Sequence, residues 1–365
     1  WEQRKFEEIA VRSSVICSDA NLPRVEYEDI VSGTGRLNKD IYAKESSKSG
    51  IAFHQGDVLY GKLRPYLQNW LLPAFDGLAV GDFWVLQPQN ADSSFLYRLI
   101  QSRQFDEVAN QSTGTKMPRA DWKLVSKTMF SIPSNICEQA AIGTYFTALD
   151  YLITLHQRKF EKLTNVKKSM LEKMFPQNGS SYPEIRFKGF TDPWEQRKLS
   201  EMCGTFEYGL NAAAKEFDGK NKYIRITDID DASREFLLSD LSSPDICLDG
   251  MSKYLLSSGD IVFARTGASV GKTYIYREND GIVYFAGFLI RAKVNQDNDA
   301  EFVFQSTLSP SYEKYIRITS QRSGQPGVNA QEYGEYDLFA PSKEEQQRIG
   351  RFLRGIDNLI TLHQR

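Results

Sequence analysis

Residues 137–175 read CEQAAIGTYFTALDYLITLHQRKFEKLTNVKKSMLEKMF, and this stretch predicts the architecture of the whole chain. Its apolar residues recur at spacings that alternate between four and three, at Ile142, Phe146, Leu149, Ile153, Phe160, Leu163, Met170 and Met174. Only His156 and Lys167 interrupt this series, and Pro176 ends it. A 3.5-residue repeat held this long is typical of a coiled-coil helix whose apolar seam faces a partner helix. At ~1.5 Å per residue the helix would be roughly 55–60 Å long.

The end of the chain repeats the beginning of this stretch. Residues 345–365 align without a gap on residues 138–158, and twelve of the twenty-one positions are identical. The repeated seam consists of Ile349, Leu353, Ile356, Ile360 and His363. Trp-Glu-Gln-Arg-Lys also occurs twice, at 1–5 and at 194–198. The chain is therefore predicted to use one unit twice, a globular block of about 140 residues followed by a long helix, with the two helices burying their seams on each other.

A chain of 365 residues suits two cores and a connector. The repeats predict a first block at 1–136, a long helix at 137–175, a polar linker at 176–193, a second block at 194–342 and a second helix at 343–365. The second helix lacks the continuation KFEKLTNVKKSMLEKMF, so we expect it to be shortened. Each block mixes strands and helices, which indicates an α+β fold with long antiparallel coiled-coil helices.

Residue patterns within each block predict the same order of elements. In the first block, strands are expected at 56–60 and 80–87, followed by one amphipathic helix at 94–105. In the second block, strands are expected at 259–263 and within 281–294, followed by helices at 300–308 and 311–318.

Loops rich in cationic, amide, hydroxyl and aromatic side chains occur at matching places in the two blocks. Such side chains suit DNA: arginine and lysine bind guanine and phosphates, and asparagine and glutamine bind adenine. The alternative interpretation is that they are ordinary solvated loop residues. The residues predicted to contact DNA are Lys62, Arg64, Tyr66, Lys116 and Arg119 in the first block, and Tyr208, Arg265, Ser269, Lys272, Arg322, Gln325 and Asn329 in the second.

No catalytic motif is recognisable. The stretch from Gly267 to Thr273 has three residues between its glycines, where a phosphate-binding Walker A loop needs four. There is no Asn/Asp-Pro-Pro-aromatic motif of adenine methyl transfer, and the three histidines are too dispersed in sequence to predict a metal cluster. No apolar run reaches the ~18 residues of a membrane span. The net charge of −2 neither indicates nor excludes a nucleic-acid partner, because a local basic face is sufficient.

The repeated features together resemble the specificity (S) subunits of type I restriction-modification systems. They are Glu-Gln-x-x-Ile followed by (Leu/Ile)-Asp-x-Leu-Ile at 138–153 and 345–360, the Gly-Asp-apolar strands beginning at 56 and 259, and the two Trp-Glu-Gln-Arg-Lys segments. The resemblance covers nearly the whole chain. It implies two target-recognition domains, each reading one half of a bipartite double-stranded DNA target, while the paired helices set the gap between the halves.

The same resemblance implies a complex in which two methyltransferase (M) subunits dock on the helices and restriction (R) subunits join them. Four dispersed cysteines without a C-x-x-C pair indicate free thiols in a reducing cytoplasm. The resemblance assigns no catalytic residue, metal or cofactor to this chain, and it places S-adenosylmethionine and ATP/Mg on the partner subunits. Two alternatives stay open. A self-sufficient methyltransferase with diverged motifs would bind S-adenosylmethionine alone. A helical scaffold without base reading would depend on Phe146 and Ile153 but not on the loops.

Overall fold

The computed structural model describes residues 1–43, 46–111, 117–177, 179–321 and 325–364. Its contacts divide the chain into two compact units, Trp1–Leu155 and His156–Arg365. The division falls inside a single helix, α5, which spans Ile136–Lys173. Both units combine helices with sheets, so the predicted α+β class is confirmed.

The first unit contains short strands and helices arranged around two four-stranded sheets. The strands are β1 Glu2–Lys5, β2 Ala10–Ser13, β3 Ile16–Cys17, β4 Arg24–Val25, β5 Ile30–Val31, β6 Arg36–Leu37, β7 Gly50–Phe53, β8 Val58–Gly61, β9 Trp70–Leu71, β10 Gly77–Ala79, β11 Phe83–Pro88 and β12 Met129–Ile132. The helices are α1 Phe6–Ile9, α2 Ser93–Leu99, α3 Arg103–Ala109, α4 Trp122–Lys127 and the first half of α5. One sheet has the order β2-β11-β8-β9 and the other has the order β3-β7-β10-β4.

Strand β8 explains how this unit is layered. Its successive side chains point to opposite faces of the sheet, as in any strand. Val58 and Tyr60 join the core formed with the helices, where the Tyr60 ring stacks on Trp84 with centroids 5.5 Å apart. Leu59 joins a second core together with Phe53 of the other sheet. The β2-β11-β8-β9 sheet is therefore buried on both faces, which accounts for the continuous apolar run of its central strands.

The prediction of a single helix at 94–105 is wrong. The structure has two helices, α2 and α3, separated by residues 100–102. Ser102 begins α3 as its N-cap, with its hydroxyl accepting a hydrogen bond from the Phe105 N–H at 3.2 Å. Apolar residues on both sides of the break follow helical spacing, so periodicity alone did not reveal the cap.

The second unit repeats this plan with different lengths. Its strands are β13 Glu195–Lys198, β14 Cys203–Tyr208, β15 Ala214–Glu216, β16 Lys222–Ile224, β17 Ser242–Pro244, β18 Ile261–Ala264, β19 Thr273–Ile275, β20 Val283–Phe285, β21 Leu289–Val294 and β22 Asp337–Ala340. Its helices are α6 Leu199–Met202, α7 Ala300–Ser306, α8 Pro310–Thr319, α9 Ala330–Gly334 and α10 Lys343–Gln364. The main sheet has the order β14-β21-β18-β19, and β18 again divides its side chains between two cores.

The repeated Trp-Glu-Gln-Arg-Lys segments form matching strands. β1 pairs antiparallel with β12, with Glu2 opposite Ile132 and Lys5 opposite Met129. β13 pairs in the same register with β22, so that Glu195 is opposite Ala340. Each pair joins the start of a repeat to the strand that leads into its long helix.

Within the second unit, α10 runs antiparallel to the second half of α5. His156 lies opposite His363, with their Nδ1 atoms 3.1 Å apart, and Lys167 pairs with Asp357 further along the two helices. The seam residues Ile349, Leu353 and Ile356 are buried in one core with Leu171 and Met174, which lie near the end of the 137–175 stretch. Ile360 is partly buried and packs against this core.

The predicted seam is not buried along its whole length. Phe146 and Ile153, in the half of α5 that belongs to the first unit, are 45% and 53% exposed. Ile142, near the start of that half, packs against the core of its own block. The pairing predicted at Phe146 and Ile153 therefore stays a prediction, because a heptad pattern specifies an apolar stripe without specifying what covers it.

The predicted linker is partly packed. Arg186 donates two hydrogen bonds to the buried carboxylate of Glu345, at 2.7 and 2.8 Å. This contact raises the pKa of Arg186, chiefly through the hydrogen bonds to Glu345. Among the described residues, no helix combines the length and the apolarity needed to cross a membrane.

Candidate nucleic-acid interface

In the first block, the loop after β8 lies beside the segment that leads into α4. The Arg64 N–H donates to the Pro118 carbonyl at 2.7 Å, and the Ala120 N–H donates to the Lys62 carbonyl at 2.8 Å. Leu63 and Arg119 form an isolated β-bridge between the same segments. Two loops that are some fifty residues apart in sequence therefore form one surface.

The second block builds the same junction after β18. The Gly267 N–H donates to the Pro326 carbonyl at 3.0 Å, and the Val328 N–H donates to the Arg265 carbonyl at 2.9 Å. Thr266 and Gly327 form the corresponding bridge. The two repeats thus share a backbone scaffold whose side chains differ.

The turn of this scaffold is left-handed in both blocks. Arg64 has φ 51° and Gly267, at the matching position, has φ 72°. Glycine adopts this conformation freely, whereas a residue with a Cβ loses about 1–2 kcal/mol. The hydrogen bond from Arg64 to Pro118 holds the strained turn and so fixes where the arginine side chain begins.

In each block, a tyrosine hydroxyl links backbone groups at the loop junction. In the first block, the Tyr27 hydroxyl donates to the Asp82 carbonyl at 2.6 Å and accepts from the Leu63 N–H at 3.0 Å. In the second block, the Tyr333 hydroxyl donates to the Ala264 carbonyl at 2.6 Å and accepts from the Gly271 N–H at 3.1 Å. Burial raises the pKa of both tyrosines, so both remain neutral donors at physiological pH.

In the first block, two of the predicted cationic side chains share one carboxylate. Asp82 lies 3.5 Å from the Lys62 Nζ and 2.9 Å from an Arg119 Nη. Tyr66, further along the same loop, is exposed. Lys62 and Arg119 are therefore brought together as predicted from their loops, but Asp82 offsets part of their charge. Arg64 is a further predicted cation of this block, and Lys116, the fourth, lies outside the described residues.

In the second block, Arg265 is surrounded by aromatic rings. Its guanidinium carbon lies 5.3 Å from the centroid of Tyr208 and 5.8 Å from that of Phe288, and its Nε donates to the Gly287 carbonyl at 3.1 Å. The sequence did not single out Phe288. The available signal was an aromatic residue directly after Gly287. It lies in a region predicted to form strands, where an aromatic residue indicates a buried core position.

The other predicted residues of the second block have various surroundings. Lys272 pairs with Asp231 at 2.5 Å, and Ser269 ends a short 3-10 turn and is partly buried. Gln325 is exposed and lies next to Gly267. The Asn329 side chain is the N-cap of α9, accepting from the Glu332 N–H at 2.9 Å. Arg322 lies outside the described residues.

An open groove of about 720 Å³ adjoins Arg265. Tyr208, Asn211, Arg225 and Phe288 contribute to its walls, and Arg225 pairs with Asp228 at 2.8 Å. The groove thus combines aromatic faces, an amide and a guanidinium, which are groups that bind base edges and stacked bases.

Comparisons with known proteins agree on one family. Residues 191–365 match the family described as type I restriction modification DNA specificity domain. The type I restriction enzyme MjaVIII specificity subunit of Methanocaldococcus jannaschii is 24% identical over 320 residues, which cover 81% of this chain and 74% of that protein. The type I restriction enzyme EcoDI specificity subunit of Escherichia coli is 23% identical over 184 residues, covering 48% of this chain and 41% of that protein.

A solved structure shares the fold. The crystal structure of the type I restriction-modification system S subunit from M. genitalium superimposes with a TM-score of 0.63 at 15% sequence identity. The superposition covers 100% of this chain and 91% of that one.

Proposed function

We propose that this chain is the non-catalytic DNA sequence-specificity subunit of a type I restriction-modification system. The relatives described above confirm its resemblance to such subunits. Each block reads one half of a bipartite double-stranded DNA target. The long helices set the gap between the halves and dock two methyltransferase subunits. Restriction subunits complete the cytoplasmic complex, and S-adenosylmethionine and ATP/Mg bind to the partners.

The observation that carries this proposal is that the same loop junction occurs in both blocks. Four backbone hydrogen bonds place the same two loops together in both blocks, and the exposed side chains on them differ. A shared scaffold with two sets of side chains is what an asymmetric two-part DNA sequence requires, because base identity is read by side chains and not by the backbone path.

For the first half-site we propose contacts by Lys62, Arg64, Tyr66 and Arg119, together with Lys116. For the second half-site, the groove supports Tyr208 and Arg265, which line it. Ser269, Lys272, Arg322, Gln325 and Asn329 remain predicted contacts. The Asn329 side chain already caps a helix, so its role in DNA binding would be secondary.

The helices carry equivalent exposed patches that suit two copies of one partner. Tyr145 and Leu152 on α5 occupy the same repeat positions as Phe352 and Leu359 on α10, and all four side chains are exposed. Large apolar side chains left in water at matching positions are typical of protein–protein contacts. We assign one methyltransferase subunit to each patch.

The test is to co-express the chain with its methyltransferase partner and to map methylated adenines across a genome by single-molecule sequencing. We expect one split motif with two defined halves and a fixed gap. An assembled complex with methylation at background would contradict DNA reading and favour the scaffold alternative. S-adenosylmethionine binding by the isolated chain would instead favour the self-sufficient methyltransferase.

A further inference from the structure

Arg265 is a cation that two aromatic rings and a backbone carbonyl hold in place. Tyr208 and Phe288 are close to its guanidinium, and the Gly287 carbonyl accepts from its Nε. Among the described residues, no carboxylate forms an ion pair with it, although Arg225 and Lys272 of the same block are paired. Tyr208 and Phe288 are 46% and 56% exposed, so this arrangement lies at the surface, beside the groove.

The geometry leaves a particular set of donors for a ligand. A guanidinium has five N–H donors in a planar fork, and the Gly287 carbonyl uses the one on Nε. The terminal nitrogens remain for a planar acceptor pair. In the major groove of DNA, guanine presents such a pair through its O6 and N7 atoms, and bidentate arginine is its commonest specific contact. The flanking rings limit the rotation of the side chain, so less conformational entropy is lost on binding.

We propose that Arg265 reads a guanine in the half-site bound by the second block, with Tyr208 and Phe288 as positioning residues that hold the guanidinium. This inference rests on the proposed function of the chain and adds the base identity and the residue that recognises it.

The matching residue of the first block is chemically different. Lys62 stands where Arg265 stands in the repeat, and its ammonium group lies 3.5 Å from Asp82. An ammonium group lacks the planar fork, and the carboxylate competes for it. The first half-site is therefore read by other means, and Lys62→Ala provides a matched control.

The experiment uses the S–M complex and duplexes carrying its methylation motif. Each guanine of the half-site assigned to the second block is replaced in turn by 7-deazaguanine, which lacks the N7 acceptor, or by inosine, which keeps O6 and N7. At one guanine we expect 7-deazaguanine to weaken binding about 5- to 150-fold, and we expect inosine to have little effect. In the Arg265→Ala complex, 7-deazaguanine at that guanine should have little further effect.

Variants separate base reading from other roles. Arg265→Lys keeps the charge but loses the fork, so methylation at that one guanine should become relaxed while the other half of the motif is unchanged. Phe288→Leu should reduce discrimination at the same guanine, and Phe288→Tyr should restore it. Lys62→Ala should leave this half of the motif unchanged.

Two results would overturn this inference and leave the proposed function intact. One is a motif that Arg265→Lys and Arg265→Ala leave intact, with every guanine insensitive to the loss of N7. The other is uniform weakening across all sequences, which would indicate a phosphate contact. Absence of any bipartite motif in the unmodified complex would overturn the proposed function and this inference with it.

Discussion

At the scale of single residues, the repeated Glu-Gln pair has a structural explanation. Gln139 and Gln346 are both buried. The Gln139 Oε1 accepts from the Asp92 N–H at 2.9 Å, and the Gln346 Oε1 accepts from the Asp299 N–H at 3.0 Å. Asp92 and Asp299 are the N-caps of α2 and α7. Each glutamine therefore ties the start of a long helix to the start of a block helix, which accounts for its repetition without any contact to DNA.

Gln346→Leu should destabilise the chain. It would leave the Asp299 N–H and the Pro341 carbonyl, 2.9 Å from the glutamine Nε2, without these partners in a buried site. Each unsatisfied group costs roughly 1–3 kcal/mol. We expect a lower urea midpoint, and the neighbouring, less buried Gln347→Ala serves as the control. Equal midpoints for the two variants would show that this hydrogen-bonded link is dispensable.

At the scale of elements, each long helix packs against its own block through a glycine. Gly143 lies against Ser94 at the start of α2. At the same repeat position in α10, a Cβ on Gly350 would lie 2.6 Å from the Asp299 Oδ1 and 3.0 Å from the Phe302 N. These contacts allow the helix backbone to approach the N-cap of α7 closely, so glycine is required here for space and not for an unusual φ.

Two glycine substitutions in α10 should have opposite signs. Gly350→Ala places a methyl group against the N-cap and should lower the stability by about 1–3 kcal/mol, as overpacking does. A Cβ on Gly355, in the same helix, would meet no atom of the described residues within 4 Å, so Gly355→Ala should raise the stability by about 0.5–1 kcal/mol. Thermal unfolding of both variants measures the difference, and destabilisation by both would refute the packing argument.

The histidine pair makes the antiparallel helices sensitive to pH. With their Nδ1 atoms 3.1 Å apart, one ring donates and the other accepts, so at least one is neutral. The pKa of His363 is lowered from 6.5 by desolvation, and further by His156 and Lys159. A lowered folded-state pKa means that the unfolded chain binds the proton more readily, so stability is lost as the pH falls below about 6.5.

We therefore expect the urea midpoint to fall between pH 7.5 and pH 5.5, and we expect His363→Leu to reduce this fall. His54→Gln is the matched control, because His54 is exposed and lies outside the helices, next to Asp76. If His363→Leu retained the full pH dependence, other groups would be responsible for it.

At the scale of the whole molecule, the proposed recognition would be modular, because each block has its own cores and its own loop junction. Replacing residues 1–136 with the corresponding block of a known specificity subunit should change one half of the methylated motif and leave the other half and the gap unchanged. Single-molecule sequencing of methylated DNA measures this. A change in both halves would mean that the blocks do not read DNA independently.

The sequence alone determined the duplication, the long helices, the α+β class and the resemblance to specificity subunits. These are carried by local spacing and by repeated residues, which need no knowledge of the fold. It also predicted the loops that follow β8 and β18, because cationic and polar residues with glycine or proline mark exposed turns. It could not reveal that Ser102 divides a predicted helix or that Phe146 and Ile153 would be left exposed.

Only the tertiary structure decided what those loops can do. Asp82 reaches Lys62 and Arg119, and Phe288 reaches Arg265, because strands separated in sequence are hydrogen-bonded side by side. These contacts decide whether a cation pairs with a carboxylate or lies against aromatic rings. Residue type and spacing do not specify them. The fold therefore gives equivalent loops of the two blocks different chemistry.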